Sequence, residues 1–132
     1  MSRGVILAAG IAALMAPLPA SAFTAKNGMV AVQISPTEIA VPHDSRGRET
    51  DYWCAAGDFA DRVMRVDGAT RMWRASPKPR EAGVGITFTL DPAKKAEGAG
   101  LSSFGSGPKD GSISVSAAAG NHCRKIWPFI AD

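Results

Sequence analysis

The most regular alternation in the chain runs from Gly83 to Leu90, where Val84, Ile86, Phe88 and Leu90 interleave with Gly85, Thr87 and Thr89. A two-residue period with one apolar and one small or polar side predicts a strand buried on one face, as antiparallel sheets require. Upstream, Val30, Val32 and Ile34 lead into Ser35-Pro36-Thr37 and then Ile39 and Val41, so residues 29 to 43 predict a β-hairpin. Thr70 to Ala75 predicts a strand that turns through Ser76-Pro77-Lys78-Pro79-Arg80 into the Gly83 strand. Ser112 to Ser116 predicts a last short strand around Ile113 and Val115.

Between Asp51 and Val66 the period becomes helical. Tyr52, Ala56, Phe59, Val63 and Val66 recur at steps of four and three, which places them on one stripe. Asp51 is the expected N-cap and Asp67-Gly68 the expected stop, after a polar loop from Asp44 to Thr50. Asp58 with Arg62 and Asp61 with Arg65 stand acid-before-base at i,i+4. Such pairs contribute only about 0.2 to 0.5 kcal/mol each, so they predict a solvated helix face. Gly57 costs about 1 kcal/mol against alanine in mid-helix, which implies that another element packs closely there. Residues 98 to 111 hold five glycines, three serines and a proline, a long loop, and Ile126, Trp127, Phe129 and Ile130 close the chain. The sum is an α+β fold, with one helix packed on an antiparallel sheet of about five strands.

Composition changes this picture at the N-terminus. The 132 residues are 45% hydrophobic, and 15 of the 60 hydrophobic residues lie in the first 22. Arg3, the apolar run Val5 to Met15, then Pro17 and Pro19 before Ala20-Ser21-Ala22 form a signal-peptide pattern with an A-x-A cleavage site. The apolar run is shorter than the roughly 20 residues that span a bilayer. The expected mature protein is therefore a single domain, 23 to 132, periplasmic or secreted, with no integral membrane segment. In an oxidising compartment Cys54 and Cys123, the only two cysteines, are most simply one disulfide. Closing a loop of about 70 residues would stabilise the domain by roughly 4 kcal/mol.

Catalytic motifs are not assembled. The histidines are His43 and His122 alone, and Gly100-Leu101-Ser102-Ser103-Phe104 lacks the final glycine of a nucleophile elbow. Ser106-Gly107-Pro108-Lys109 has S-x-x-K spacing, but Gly-Pro opposes the helix that motif needs. Gly100 to Gly105 has P-loop spacing followed by Ser106-Gly107 instead of Lys-Ser/Thr. No ligand spacing for a metal is present and no cofactor is implied.

The remaining feature is the run from Arg71 to Arg80, which carries Arg71, Trp73, Arg74, Lys78 and Arg80 and no acidic residue. With Trp73 outward, an aromatic face beside cations would suit an anionic envelope ligand. With Trp73 inward, it is core, Arg71 lies at the rim and Arg74 sits on the opposite, solvated face. Alternation leaves both open, because Met72 is an equally good core residue. Nucleic acid is not an expected partner: without Arg3 the chain has 14 basic against 12 acidic residues, a net charge of +2.

Tyr52-Trp53-Cys54-Ala55-Ala56-Gly57-Asp58-Phe59, together with Thr70-Arg71-Met72-Trp73-Arg74-Ala75-Ser76-Pro77, resembles small exported alphaproteobacterial proteins of uncharacterised activity. The resemblance implies an exported single domain and supplies no catalytic residue or ligand. The expected function is non-catalytic binding of an envelope protein or an anionic envelope ligand. Two alternatives stand beside it. One is an inhibitor of a lytic enzyme or protease acting through the 98 to 111 loop, and the other a small hydrolase using His122 or His43.

Overall fold

The computed structural model describes residues 22–97, 110–121 and 123–124. The expected signal segment up to Ser21, most of the 98 to 111 loop, His122 and the closing Ile126 to Ile130 lie outside the described residues. Six strands form one antiparallel sheet: β1 (Phe23–Thr24), β2 (Val30–Ser35), β3 (Glu38–Val41), β4 (Arg71–Arg74), β5 (Ile86–Thr89) and β6 (Ile113–Ser114), in the order β1-β2-β3-β5-β4-β6. The expected hairpin pairs Val32 with Ala40 and Gln33 with Ile39. β3 then pairs Ile39 with Phe88 and Val41 with Ile86 on β5. Those four residues and Met72 of β4 are fully or almost fully buried in one hydrophobic cluster. The class is α+β, with one disulfide joining Cys54 to Cys123 across a 5.0 Å Cα separation.

Two strand expectations are corrected. Val84 is 51% exposed, and the strand begins only at Ile86. Gly83 adopts a positive φ of 78°, and the Val84 N–H closes a turn onto the Glu81 carbonyl. Gly85 then passes so near the Val41 carbonyl that a side chain there would overlap it. The segment from Ser112 is strand for only two residues before helix α2 (Val115–Asn121) starts. The Ser114 hydroxyl accepts from the Ala117 N–H at 3.1 Å, a capping contact, and three successive alanines favour helix thereafter.

Helix α1 (Glu49–Arg62) differs from a one-sided amphipathic helix more deeply. Every residue from Asp51 to Ala60 is buried. On the sheet side, Trp53 meets Phe88 edge-on with ring centroids 4.8 Å apart. On another side, a Cβ placed on Gly57 would lie 2.6 Å from the Ala118 Cβ and 2.9 Å from the Ala119 nitrogen, so α2 seats directly on that glycine. The close packing implied by Gly57 is therefore present.

Both helix ends shift from their expected places. Arg48 is the N-cap, and Asp51 stands at the third helical position, its Oδ2 accepting from the Arg48 N–H at 2.7 Å. The carboxylate reaches back to the cap instead of forward to the first turn, and it also receives Arg124 at 2.8 Å. At the other end the helix stops at Arg62, Val63 is 44% exposed, and Arg65 rather than Gly68 takes the left-handed conformation at φ 61°.

Asp58 is not on a solvated face. Its side chain is fully buried and accepts from Arg62 Nε and Nη2 at 2.7 and 2.6 Å and from the Lys26 N–H at 2.8 Å. The Lys26 ammonium donates to the Ala119 carbonyl at 2.7 Å, and the Arg62 guanidinium lies over the Phe23 ring, which packs edge-on against Phe59. One carboxylate thus ties residues 23 to 26 to both helices. Burial pushes the Asp58 carboxyl up, but the hydrogen bonds and charges of Arg62 and Lys26 outweigh it and hold it below the ordinary value.

Because the folded-state pKa is depressed, Asp58 stabilises the fold fully above the unfolded-state value near pH 4 and loses that contribution as pH falls through the lower, folded-state pKa. Chemical denaturation across this acid range should show stability dropping, with a shallower acid slope in Asp58→Asn. For Gly57→Ala, the gain of about 1 kcal/mol in helix propensity is opposed by an overlap with backbone, for which overpacking costs of about 1 to 3 kcal/mol are typical. A thermal melt should show net destabilisation; an unchanged or raised midpoint would contradict the packing at Ala118.

Candidate functional site

The five residues of the basic run do not form one surface. Strand alternation sends Met72 and Arg74 toward α1 and leaves Arg71 and Trp73 on the other side of the sheet. Arg71 Nε donates to the Ser112 hydroxyl at 3.0 Å and its Nη2 to the Ser112 carbonyl at 2.9 Å, bracing the β6 edge. Trp73 is 7% exposed, so its ring offers no open stacking face. Its Nε1 makes no hydrogen bond, although the indole lies near enough to Asp110 to affect that carboxyl. Asp110 is held below its usual range first by the Ser112 hydroxyl and then by the Ser112 N–H, with Trp73 adding to the effect.

Arg80 belongs to a second place. Its guanidinium sits 5.3 Å over the Tyr52 ring, and Nη1 donates to the Val84 and Glu81 carbonyls at 2.8 and 3.1 Å. The same nitrogen meets His43 Nδ1 at 3.1 Å. An arginine can only donate, so a hydrogen bond between the two requires Nδ1 as the acceptor. The imidazole is exposed, its hydrogen-bond contact among the described residues is a guanidinium, and its charge acts on the neighbouring Asp44 carboxyl. His122, the other imidazole considered for catalysis, lies outside the described residues.

Arg74 and Lys78 meet at the third place. Arg74 is 1% exposed, not solvated, and is fixed by donating from Nε to the Ser76 carbonyl at 3.0 Å and from Nη2 to the Pro77 carbonyl at 2.8 Å. Its Nη1 lies 3.4 Å from Glu49 Oε2, and Lys78 Nζ lies 3.5 Å from the same oxygen. Trp53 Nε1, one helical turn beyond Glu49, approaches that oxygen at 3.4 Å. Three donors from α1, from the end of β4 and from the following loop therefore converge on one partly exposed carboxylate. Among the described residues, two cations and an indole N–H face this one carboxylate.

Sequence reasoning missed Glu49 and Trp53. The spacing from Glu49 to Trp53 is i,i+4, which would have placed them together, but with the helix started at Asp51 the glutamate fell into the preceding loop. Among the described residues no group of three or more His, Cys, Asp or Glu side chains is placed to hold a metal ion. No helix of the described residues is long and apolar enough to cross a membrane. No protein-family model, curated protein or solved structure matches the chain.

What the junction offers chemically is N–H donors and positive charge, which is the chemistry of anion recognition. Glu49 serves there as the shared acceptor of these donors. The two cations differ in structural weight. Arg74→Ala would leave the Ser76 and Pro77 carbonyls short of a donor and should cost about 3 kcal/mol, whereas Lys78→Ala, removing a part-exposed ion pair, should cost less than about 1 kcal/mol. Paired urea denaturation curves measure the difference, and equal costs would contradict the fixed role of Arg74.

Proposed function

We propose that the protein is an exported, disulfide-stabilised domain that binds an anionic envelope ligand rather than catalysing a reaction. The observation that carries this reading is the Glu49 junction, where Arg74, Lys78 and Trp53 turn their donors to one partly exposed point. Of the five cationic or aromatic residues first singled out, Arg74 and Lys78 are the two retained as ligand contacts. Arg71, Trp73 and Arg80 act as supports for β6, the outer sheet face and the Tyr52 ring.

Two observations support export. The Cys54–Cys123 disulfide suits an oxidising compartment. β1 begins at Phe23, immediately after Ala20-Ser21-Ala22, and the Phe23 ring is packed against Phe59. The hydrolase alternative gains nothing from His43, and the loop of the inhibitor alternative lies mostly outside the described residues.

Expression of the full chain followed by cell fractionation should yield a periplasmic or secreted protein whose N-terminal residue is Phe23. Titration of that protein with anionic and neutral envelope glycans and lipids should give binding confined to anionic members. Added salt should weaken it, and Lys78→Ala should reduce it several-fold without shifting the melt. A cytoplasmic protein, or indifference to ligand charge, would refute the proposal.

A further inference from the structure

We propose that Asn27-Gly28 is a self-deamidation site that the native fold holds inert and that opening of the N-terminal segment activates, so that a chain left open is chemically marked and loses part of its means of closing again. The proposal is independent of the anion-binding reading above.

The chain has two asparagines, Asn27 and Asn121, and only Asn27 precedes a glycine. The amide carbon of an asparagine can be attacked by the backbone nitrogen of the next residue. A new N–C bond then closes a succinimide ring, the Cγ–Nδ2 bond breaks, and ammonia leaves. Water opens the ring at either carbonyl, giving aspartate or isoaspartate, so water is the only co-reactant. Glycine favours the first step because it has no Cβ to hinder the approach of its nitrogen, and asparagine is chemically labile to begin with.

In the fold the reacting groups are all engaged. Asn27 is fully buried. Its Nδ2 donates to the Asp51 carbonyl at 2.9 Å and its Oδ1 accepts from the Met29 N–H at 3.1 Å, so the amide is fixed at both ends. The attacking nitrogen is occupied as well, because the Gly28 N–H donates to the Ala25 carbonyl at 2.9 Å. Ring closure would break these hydrogen bonds in a place closed to solvent. The segment itself is tied down on either side: Lys26 reaches Asp58 through its N–H and the Ala119 carbonyl through its ammonium, while Ala25 and Met29 are buried in the core. Reaction therefore has to wait for residues 25 to 29 to lift away from both helices.

Neither product fits the place that the amide filled. Aspartate sets an acceptor against the Asp51 carbonyl where Nδ2 had donated, and it brings a charge into a fully buried position. Isoaspartate routes the main chain through the former side chain and adds one carbon between residues 27 and 28. The turn closed by the Gly28 N–H on the Ala25 carbonyl and the Ala25 N–H on the Met29 carbonyl then loses its register. That turn joins β1 to β2, so the pairing of Thr24 with Val30 is weakened with it.

Site-resolved mass spectrometry of the oxidised protein, incubated in mildly alkaline buffer, tests this against a synthetic peptide spanning Thr24 to Ala31. Asn27 in the native protein should convert more than about tenfold slower than in the peptide, and at the peptide's rate once the protein is unfolded in urea. Asp58→Asn, which weakens the tie to Lys26, should raise the native rate several-fold; urea below the unfolding transition makes the same comparison on the unaltered chain. Chains modified in urea and returned to buffer should melt at a lower temperature than unmodified chains treated alike, and Asn27→Asp should reproduce the aspartate share of that loss. The proposal is overturned by native conversion at the peptide's rate, or by an unfolded chain that keeps Asn27 intact while the peptide converts. It is equally overturned by a native rate that neither Asp58→Asn nor dilute urea moves, or by modified chains with an unaltered melt.

Discussion

Helix α1 is enclosed by the sheet, by α2 and by the N-terminal segment, so nearly every polar group along it must find its partner inside the protein. A buried charge left unpaired would cost several kcal/mol, comparable with the whole stability of a domain this size. The arrangement of the other elements follows from that demand. Asp58 draws in Lys26 and Arg62, and with them Phe23 and the end of α2. Asp51 draws in Arg48 and Arg124 beside the bridge from Cys54 to Cys123. Asn27 donates to the Asp51 carbonyl at 2.9 Å.

The same demand separates residues that are neighbours in sequence. Arg71 and Arg74 lie three apart on β4, so alternation places them on opposite sides of the sheet. Arg71 has the rim and Ser112, while Arg74 is driven under the loop that follows β4, where two backbone carbonyls and Glu49 meet it. Arg80 is carried further round and covers Tyr52. A run that reads as a basic patch becomes three separate supports, of which only the Glu49 junction keeps cations grouped around a part-exposed point. There, the donors lie 3.4 to 3.5 Å from the part-exposed Glu49, whereas the buried Asp58 holds Arg62 at 2.6 and 2.7 Å, so two carboxylates on one helix are held differently.

Much of the sheet was legible because side-chain alternation is a local property. Val30 to Val41 and Ile86 to Leu90 betray their strands without knowledge of any partner. Gly57 was legible for a related reason: a helix-weakening residue inside a helical pattern signals a close neighbour, though not that the neighbour is Ala118 on α2. The beginning of α1 was not legible. Asp51 is a good N-cap by type, and only the positions of Arg48 and Arg124 make it a third-position carboxylate reaching backward. Glu49 was lost with that boundary, and with it the centre of the candidate site. Asp58 and Arg62 were correctly paired by their spacing, yet i,i+4 geometry is the same on a wet face and a buried one, so the depth of the pair was hidden.

The sequence by itself determined the α+β class, the hairpin, the presence of a helix between the polar loop and Gly68, and the crowding at Gly57. Each depends on periodicity or on the intrinsic behaviour of one residue type, and both act over a few positions. Tertiary structure decided what each charge does. Whether an arginine is a solvated cation, a brace on a carbonyl or part of an anion site depends on which elements crowd it and how much water is left. Those neighbours come from far along the chain: Lys26 meets Asp58, Arg124 meets Asp51, and Arg74 meets Glu49. The candidate site exists because β4 and its following loop bring Arg74 and Lys78 to the start of α1, a juxtaposition that no local pattern encodes.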